Sequence, residues 1–345
     1  MVAALGMVFD SFHLTLYAAL RSMQKFQYEA GGVLLGQICT MIFGLTVLFF
    51  NQSLFWLIGA LGIGSFLNVL WSFWWLRKNK INFTWRESLK NFQLIKPLII
   101  AALPFALAAL FTRLWTSLDS VILTYFQGNQ AVGFWSVPYK LVFAFQFIPS
   151  ALSGALFPAV SAQYGQTSPS QDQVFLQRLY ALFRYLLVLA LPISAGTFVL
   201  APEIIKTVYG QAYLPSVPAL QILILLLPFY FLNWQIGSLL AGTGRQKQHA
   251  ALLGVCMFFG ILLNFILIPR FSFLGSAWSS LLSTAIFCLV GRVMVRQIMP
   301  LAPRLLALSL VKIGGAALVM ALAVWQLKGF LPILAVVPLG AFIYG

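Results

Sequence analysis

Residues 103–124 read LPFALAALFTRLWTSLDSVILT, a nearly continuous apolar run that contains two charged side chains, Arg113 and Asp119. About 20 predominantly apolar residues are enough for an α-helix to cross the hydrocarbon core of a bilayer. The run reaches that length, so we predict a transmembrane helix. Its two charges make it informative about function, because charges at membrane depth usually face a bundle interior or a wet cavity.

Apolar runs of similar length recur through the whole chain of 345 residues. Hydrophobic residues make up 61% of the sequence and charged residues 8%, against roughly 25% charged residues in soluble domains. The mean hydropathy is +0.94, which leaves too little polar surface to coat a soluble globule. We therefore predict an all-α polytopic membrane protein with about eleven segments, at 1–21, 31–50, 53–76, 97–124, 131–160, 177–200, 216–241, 249–269, 273–298, 305–327 and 329–345.

The basic residues predict the orientation of the chain. If the gap after the first segment is cytoplasmic, most of the 21 Lys and Arg residues fall in predicted inner gaps or at inner span ends, whereas Lys206, Arg270 and Lys328 fall in outer gaps. Such a bias is the positive-inside rule. It also explains the net charge of +15, so we predict no nucleic-acid partner and place the protein in the cell (inner or plasma) membrane.

The two ends of the sequence raise a question of completeness. This orientation places Met1 outside, with no signal peptide ahead of the first helix. Either the protein inserts with its N-terminus out, or helices that belong upstream are absent. The sequence ends in PLGAFIYG, within an apolar run. We expect a fragment that lacks the beginning and a little of the end.

The longest polar gap, RKNKINFTWRESLKNFQLIK at 77–96, predicts a boundary between two lobes. Its apolar residues recur at helical spacing opposite its basic ones, which is typical of an amphipathic helix on the inner membrane surface. A solvated linker is the alternative, and it does not exclude such a helix. The predicted domains are a partial N-terminal lobe of three helices (1–76), this cytoplasmic linker (77–96), a C-terminal lobe of six helices (97–298) and two additional helices, the last truncated (299–345).

The run 103–124 has one polar face. At 100° per residue, an arc of about 160° holds Thr112, Arg113, Thr116, Ser117, Asp119 and Ser120. Lys140 on the next span lies at a depth similar to that of Arg113, about 15 Å from the outer turn at 1.5 Å per residue. Two explanations stay open. Asp119 pairs with Arg113 or Lys140 and locks two helices, or the face lines a cavity of net positive charge suited to a phosphate or pyrophosphate.

The candidate substrate-binding residues of this cavity are Arg113, Asp119, Lys140, Trp115, Thr116 and Tyr139. The rings of Trp115, Trp135 and Tyr139 could stack on sugars, although packing or an interfacial position is the commoner role of such aromatics. Four other polar residues in the spans are more readily explained by interhelical hydrogen bonds, namely Gln146, Asn233, Gln235 and Asn264.

Nothing in the sequence predicts catalytic chemistry. Cys39, Cys256 and Cys288 are far apart in apolar runs, the two histidines are equally distant from each other, and the chain has only six acidic residues. These spacings match no disulfide framework or metal site. We predict a protein that is not an enzyme and needs no metal or cofactor.

Residues 103–166 closely resemble the first two helices of the second lobe of polysaccharide-biosynthesis flippases in the multidrug/oligosaccharidyl-lipid/polysaccharide exporter superfamily. The resemblance rests on Pro104, Asp119, Gly133 before an aromatic, Lys140 and LFPAVS at 156–161. It extends through APEIIKTVYGQAYLPSVPALQIL at 201–223 and LLAGTGRQKQHAAL in the following inner loop. It implies two lobes around a central cavity, with the first three helices of the pattern absent from this chain.

The resemblance further implies transport of a polyprenyl-pyrophosphate-linked oligosaccharide from the inner to the outer leaflet for polysaccharide or O-antigen export, by alternating access. Membrane lipids, and polysaccharide polymerase or assembly proteins, would then be partners. Two alternatives remain. A multidrug/cation antiporter of the same superfamily is disfavoured by the mid-membrane cations. A membrane glycan polymerase, ligase or glycosyltransferase is disfavoured by the short outer loops and the absence of Asp-x-Asp.

Overall fold

The computed structural model describes residues 2–23, 25–50, 54–79, 92–154, 169–298, 303–327, 338–340 and 344. The chain divides into two compact units, Met1–Ile95 (unit 1) and Lys96–Gly345 (unit 2). Within the described ranges every regular element is a helix, which confirms the all-α prediction. The central part of the predicted linker, 80–91, lies outside the described residues.

Unit 1 contains three helices, α1 (Val2–Ser22), α2 (Phe26–Phe50) and α3 (Leu54–Lys78). Helix α3 packs against both α1 and α2. Tyr17 Oη donates to Asn68 Oδ1 at 2.6 Å, and Trp71 Nε1 donates to the Tyr28 carbonyl at 2.8 Å. Glycine at position 32 makes this packing possible, because a Cβ there would overlap both the Tyr17 hydroxyl and the Trp71 ring. Small residues permit this close approach between membrane helices.

Unit 2 begins with a helical hairpin. Helix α4 (Phe92–Ala144) breaks at Gly128, where φ is 77° and ψ is −179°, a conformation that is essentially restricted to glycine. The break gives a first arm, 92–127, and a second arm, 129–144. The arms run antiparallel, since Tyr139 Oη of the second donates to the Thr116 carbonyl of the first at 3.4 Å. The predicted outer turn at 125–130 contains this break.

The other helices of unit 2 are α5 (Pro169–Tyr209), α6 (Val217–Ile224), α7 (Leu227–Gly242), α8 (Gln246–Phe271), α9 (Phe273–Val295) and α10 (Pro303–Leu327). A 3-10 helix, Gln211–Ser216, precedes α6. Helix α9 packs on α8, α7 and α6, while α10 packs on α5. One core cluster includes fully buried residues from α5, α6 and α7, among them Leu186, Ile205, Leu220, Leu223 and Phe231.

By length and composition, the described chain has six helices able to cross a membrane, or seven if one bent pair counts as a single span. One of the six, Lys96–Gly154, holds two of the predicted spans, on either side of Gly128. The bent pair corresponds to the predicted span 216–241, which is two helices joined at 46°. Pro228 lies in the first turn of α7, and its ring and missing N–H favour a kink just before it. The last predicted segment, 329–345, lies mostly outside the described residues.

Candidate functional site

Asp119 lies in the interior of unit 2. Its side chain is 6% exposed, and its two oxygens accept hydrogen bonds from two other helices. Asn264 Nδ2 of α8 donates to Oδ1 at 2.5 Å, and Ser280 Oγ of α9 donates to Oδ2 at 2.9 Å. The carboxyl group therefore ties α4, α8 and α9 together with neutral donors.

Helix α9 presents a face of small polar residues to this carboxyl group. Ser279, Ser280, Ser283 and Thr284 recur at helical spacing, and all four are buried. Ser279 Oγ donates to the Gly260 carbonyl at 3.0 Å, and Ser283 Oγ accepts from Trp115 Nε1 at 3.1 Å. The sequence SSLLST at 279–284 carried this spacing, and we did not single it out as part of a site.

Four of the six predicted site residues surround one small cavity. Trp115, Thr116, Asp119 and Tyr139 line it. The other lining residues are Phe143, Leu226, Tyr230, Ser280 and Thr284. Its volume is about 30 Å³, enough for water and too small for a sugar ring. The predicted residues are thus brought together, but around a water-sized space.

The aromatic residues of the second arm of α4 pack mainly on each other. Tyr139 stacks between Trp135, at 4.3 Å between ring centroids, and Phe143, at 4.1 Å. Trp135 is 3% exposed, so it is not available to stack on a sugar. The Trp135 ring therefore has a packing role, which is the commoner role of such aromatics.

Arg113 and Lys140 do not join Asp119. Both cationic side chains are exposed, and the ion pairs found among the described residues, His13–Asp10 and Arg21–Glu29, include neither of them. The explanation in which Asp119 pairs with one of these cations is therefore wrong for the described contacts. The polar arc of 103–124 divides instead, with its Asp119 edge buried against α8 and α9 and its Arg113 edge exposed.

A larger cavity of about 300 Å³ lies between the first arm of α4, α7, α8 and α9. One face of α7 supplies Tyr230, Asn233, Trp234, Gly237, Ser238 and Ala241, and the other helices add Thr112, Trp115, His249, Leu253 and Phe287. The α7 residues follow the spacing i, i+3, i+4, i+7, i+8, which marks one helical face. That spacing is visible in the sequence, yet of these residues only Asn233 was named from the sequence, as a residue that bonds between helices.

The amides expected to bond between helices do so. Asn233 Nδ2 donates to the Thr284 carbonyl at 2.9 Å, and Gln235 Nε2 donates to the Pro149 carbonyl at 3.3 Å. Gln146 Oε1 accepts from Tyr230 Oη at 3.2 Å. Within the described residues no three His, Cys, Asp or Glu side chains are grouped as metal ligands.

The model of the polysaccharide biosynthesis protein family matches residues 1–218, more than half of the chain. An uncharacterized membrane protein of Methanocaldococcus jannaschii is 27% identical over 161 residues, which are 46% of this chain and 31% of that protein. The "Putative O-antigen transporter" of Shigella dysenteriae is 29% identical over 164 residues, 48% of this chain and 39% of that protein. The matches therefore span less than two fifths of either relative.

A solved structure has a similar fold. It is that of lipid II flippase MurJ in an inward closed conformation, with a TM-score of 0.76 and 17% sequence identity. The similarity covers 100% of this chain and 71% of that chain. At this identity it establishes the fold, a helical membrane bundle. Together with the family match, it identifies the chain as a multi-pass membrane protein that belongs to the polysaccharide biosynthesis protein family.

Proposed function

We propose that this protein is a flippase that moves a lipid-linked oligosaccharide from the inner to the outer leaflet by alternating access. The cargo would carry its sugars on a polyprenyl pyrophosphate, for polysaccharide or O-antigen export. Family membership supports the proposal, as do a relative named as an O-antigen transporter and the fold of a lipid II flippase. Membrane lipids and polysaccharide polymerase or assembly proteins are the partners that this function implies. The protein would transport its cargo without acting as an enzyme.

The observation that carries the proposal is the pair of exposed cations in the α4 hairpin. Arg113 and Lys140 lie in opposite arms, on either side of the break at Gly128. Each is well over two helical turns from the break, which places both groups within the predicted membrane span. A charge at that depth is costly unless it faces a wet cavity or meets a counter-ion. Among the described ion pairs neither has a protein partner, and a pyrophosphate would supply the missing negative charge.

The same cations argue against the alternative cargo of the superfamily. A cationic drug approaching Arg113 and Lys140 would be repelled, and the repulsion would be strong in a space of low dielectric constant. An anionic lipid-linked cargo is attracted by the same charges. The proposal therefore assigns the pyrophosphate to these two residues and leaves Asp119 a structural role.

The test is complementation of a strain that lacks its own oligosaccharide flippase. We expect Arg113→Ala and Lys140→Ala to abolish polysaccharide export while the amount of protein in the membrane stays unchanged. Arg113→Lys should restore export at least partly if charge is sufficient, and poorly if the planar guanidinium must grip two oxygens. Arg270→Ala is the matched control, because Arg270 is an exposed cation at the far end of α8.

Two results would contradict the proposal. Full export by Arg113→Ala, Lys140→Ala and the double variant would show that these cations do not hold the cargo. Loss of protein from the membrane in step with loss of export would show that they stabilise the fold instead.

A further inference from the structure

The 300 Å³ cavity of unit 2 has the size of a ligand site, at the lower end of the range for small-molecule pockets. It is distinct in most of its lining from the water-sized cavity beside Asp119. Its walls come from four helices that pack within one unit, so it does not depend on another part of the chain. Gly237 and Ala241 of α7 line it without a side chain beyond Cβ.

Aromatic rings form two of its walls. Trp115 and Phe287 lie nearly parallel, with 6.0 Å between centroids and 3° between planes, and both rings line the cavity. Tyr230 and Trp234 stand at 78° to each other, 6.5 Å apart. Large rings of this kind bury the apolar C–H face of a pyranose, and Tyr and Trp add a polar edge to it.

The polar groups of the cavity are uncharged donors and acceptors. Of the residues that line it, none is Asp, Glu, Lys or Arg. Asn233 is 7% exposed, and its Nδ2 is fixed by the bond to Thr284. Its Oδ1 has no partner among the described atoms. That oxygen is itself buried, so it forms part of the packed wall and is not offered to a ligand in the cavity.

Two polar groups can reach a ligand in the cavity. Ser238, one residue past Gly237, offers a hydroxyl, and His249 offers an imidazole whose Nε2 would lie 3.0 Å from a Cβ placed at Gly237. A hydroxyl and an imidazole can each donate and accept. Together with the aromatic rings they match a neutral polyhydroxylated ligand, whereas a phosphate would require cationic donors and an acyl chain would leave both polar groups without a partner.

We propose that this cavity is a saccharide subsite, which binds a neutral pyranose of the cargo against the aromatic rings, with hydrogen bonds to Ser238 and His249. The assignment rests on the proposed flippase function and deepens it. Thr112 lines the cavity and is followed directly by Arg113, so a sugar held here lies one residue along α4 from the cation assigned to the pyrophosphate. The cavity reaches toward the α7–α8 turn at 243–245, which the charge distribution predicts to be cytoplasmic. That is the side from which the cargo is loaded.

Saturation-transfer NMR on the purified full chain in lipid nanodiscs tests the assignment. The probes are free glucose, galactose and N-acetylglucosamine. We expect at least one of them to receive saturation from the wild-type protein. Ser238→Leu fills the cavity without touching the Asn233–Thr284 bond and should abolish the transfer. Trp234→Leu should weaken binding by about tenfold, the upper range for an aromatic contact.

Trp278→Leu is the matched control, because Trp278 is a 43% exposed tryptophan of α9 in the same unit. It should bind saccharide like the wild type. No transfer to any of the three saccharides would overturn the assignment, and so would transfer that Ser238→Leu leaves unchanged. Transfer that depends on Ser238 but is seen only with a polyprenyl phosphate would also overturn it.

The binding measurement and the complementation test distinguish an error in the subsite from an error in the flippase function. If the wild-type chain binds a saccharide and Ser238→Leu does not, but export is never restored, the subsite stands and the flippase function is wrong. If export is restored and depends on Arg113 while no saccharide binds, the function stands and the subsite is wrong.

Discussion

Asp119 carries a carboxyl group into the interior of unit 2, and its hydrogen-bond donors come from α8 and α9. Removing the carboxyl group would leave the buried Asn264 amide and Ser280 hydroxyl without their acceptor. Leaving buried donors unpaired costs about 1–3 kcal/mol. The role that these contacts support for Asp119 is therefore to stabilise unit 2.

We expect Asp119→Ala to lower the unfolding temperature of the detergent-solubilised protein by several degrees, as read by heating and size-exclusion chromatography. Asp119→Asn keeps one oxygen acceptor and should lie between Ala and wild type. Ser117→Ala is the control, because Ser117 is exposed on the same helix. An unchanged unfolding temperature in Asp119→Ala would show that the three-helix contact contributes little.

The element that holds this site in place is α9, whose first turn approaches the end of α8 closely. A Cβ at Gly275 would overlap the carbonyl group of Leu267 and lie 2.8 Å from the Ile268 nitrogen. Those are backbone atoms of α8, which cannot move aside as a side chain can. Small residues at a helix contact are a recurrent feature of membrane bundles, where close approach replaces the hydrophobic effect as the stabilising term.

Gly275→Ala should destabilise unit 2 by about 1–3 kcal/mol, as overpacking does in cores, and should lower the unfolding temperature. Gly314→Ala on α10 is the matched control, because a Cβ there meets nothing within 4 Å and alanine is the better helix former. If both variants unfold at the same temperature, the α8–α9 contact tolerates a wider spacing than the structure has.

At the scale of the whole molecule, the orientation in the membrane is the question, and in unit 1 basic residues cluster at one end of the three helices. In unit 1, Arg21 Nε donates to Glu29 Oε2 at 2.7 Å, and Lys25 Nζ donates to Asn79 Oδ1, so the end of α1, the start of α2 and the end of α3 meet. Lys78 Nζ lies 5.0 Å from the Trp74 ring and 4.7 Å from that of Trp75. Tryptophan and lysine are typical of the membrane–water interface.

Cysteine-accessibility labelling in cells tests the orientation of the whole chain. In a background with Cys39, Cys256 and Cys288 replaced by Ser, a cysteine at Asn129 should react with a membrane-impermeant maleimide from outside. A cysteine at Lys247 should react only after the membrane is opened. Labelling of the Lys247 position in intact cells would reverse the orientation, and with it the predicted direction of cargo loading.

Some features of this fold could be predicted from the sequence and others could not. Segment length and apolar composition predicted the membrane helices, because the bilayer sets a minimum length that a short window of sequence can meet. Glycine and proline predicted only some of the positions at which those helices are interrupted. The Gly128 break lies in the predicted turn, whereas 216–241 was predicted as one span because its apolar run is continuous, and the structure has two helices there.

The tertiary structure decided which side of each helix faces the protein. In a soluble protein the apolar face packs inward, but lipid is as apolar as a core, so the pattern of 103–124 could not separate a buried face from an exposed one. Asp119 is paired by residues 145 and 161 positions away, and no local pattern contains such partners. The sequence therefore determined the spans, the orientation to be tested and the family resemblance. Only the packing of α4, α8 and α9 decided that Asp119 belongs to the interior while Arg113 and Lys140 remain exposed.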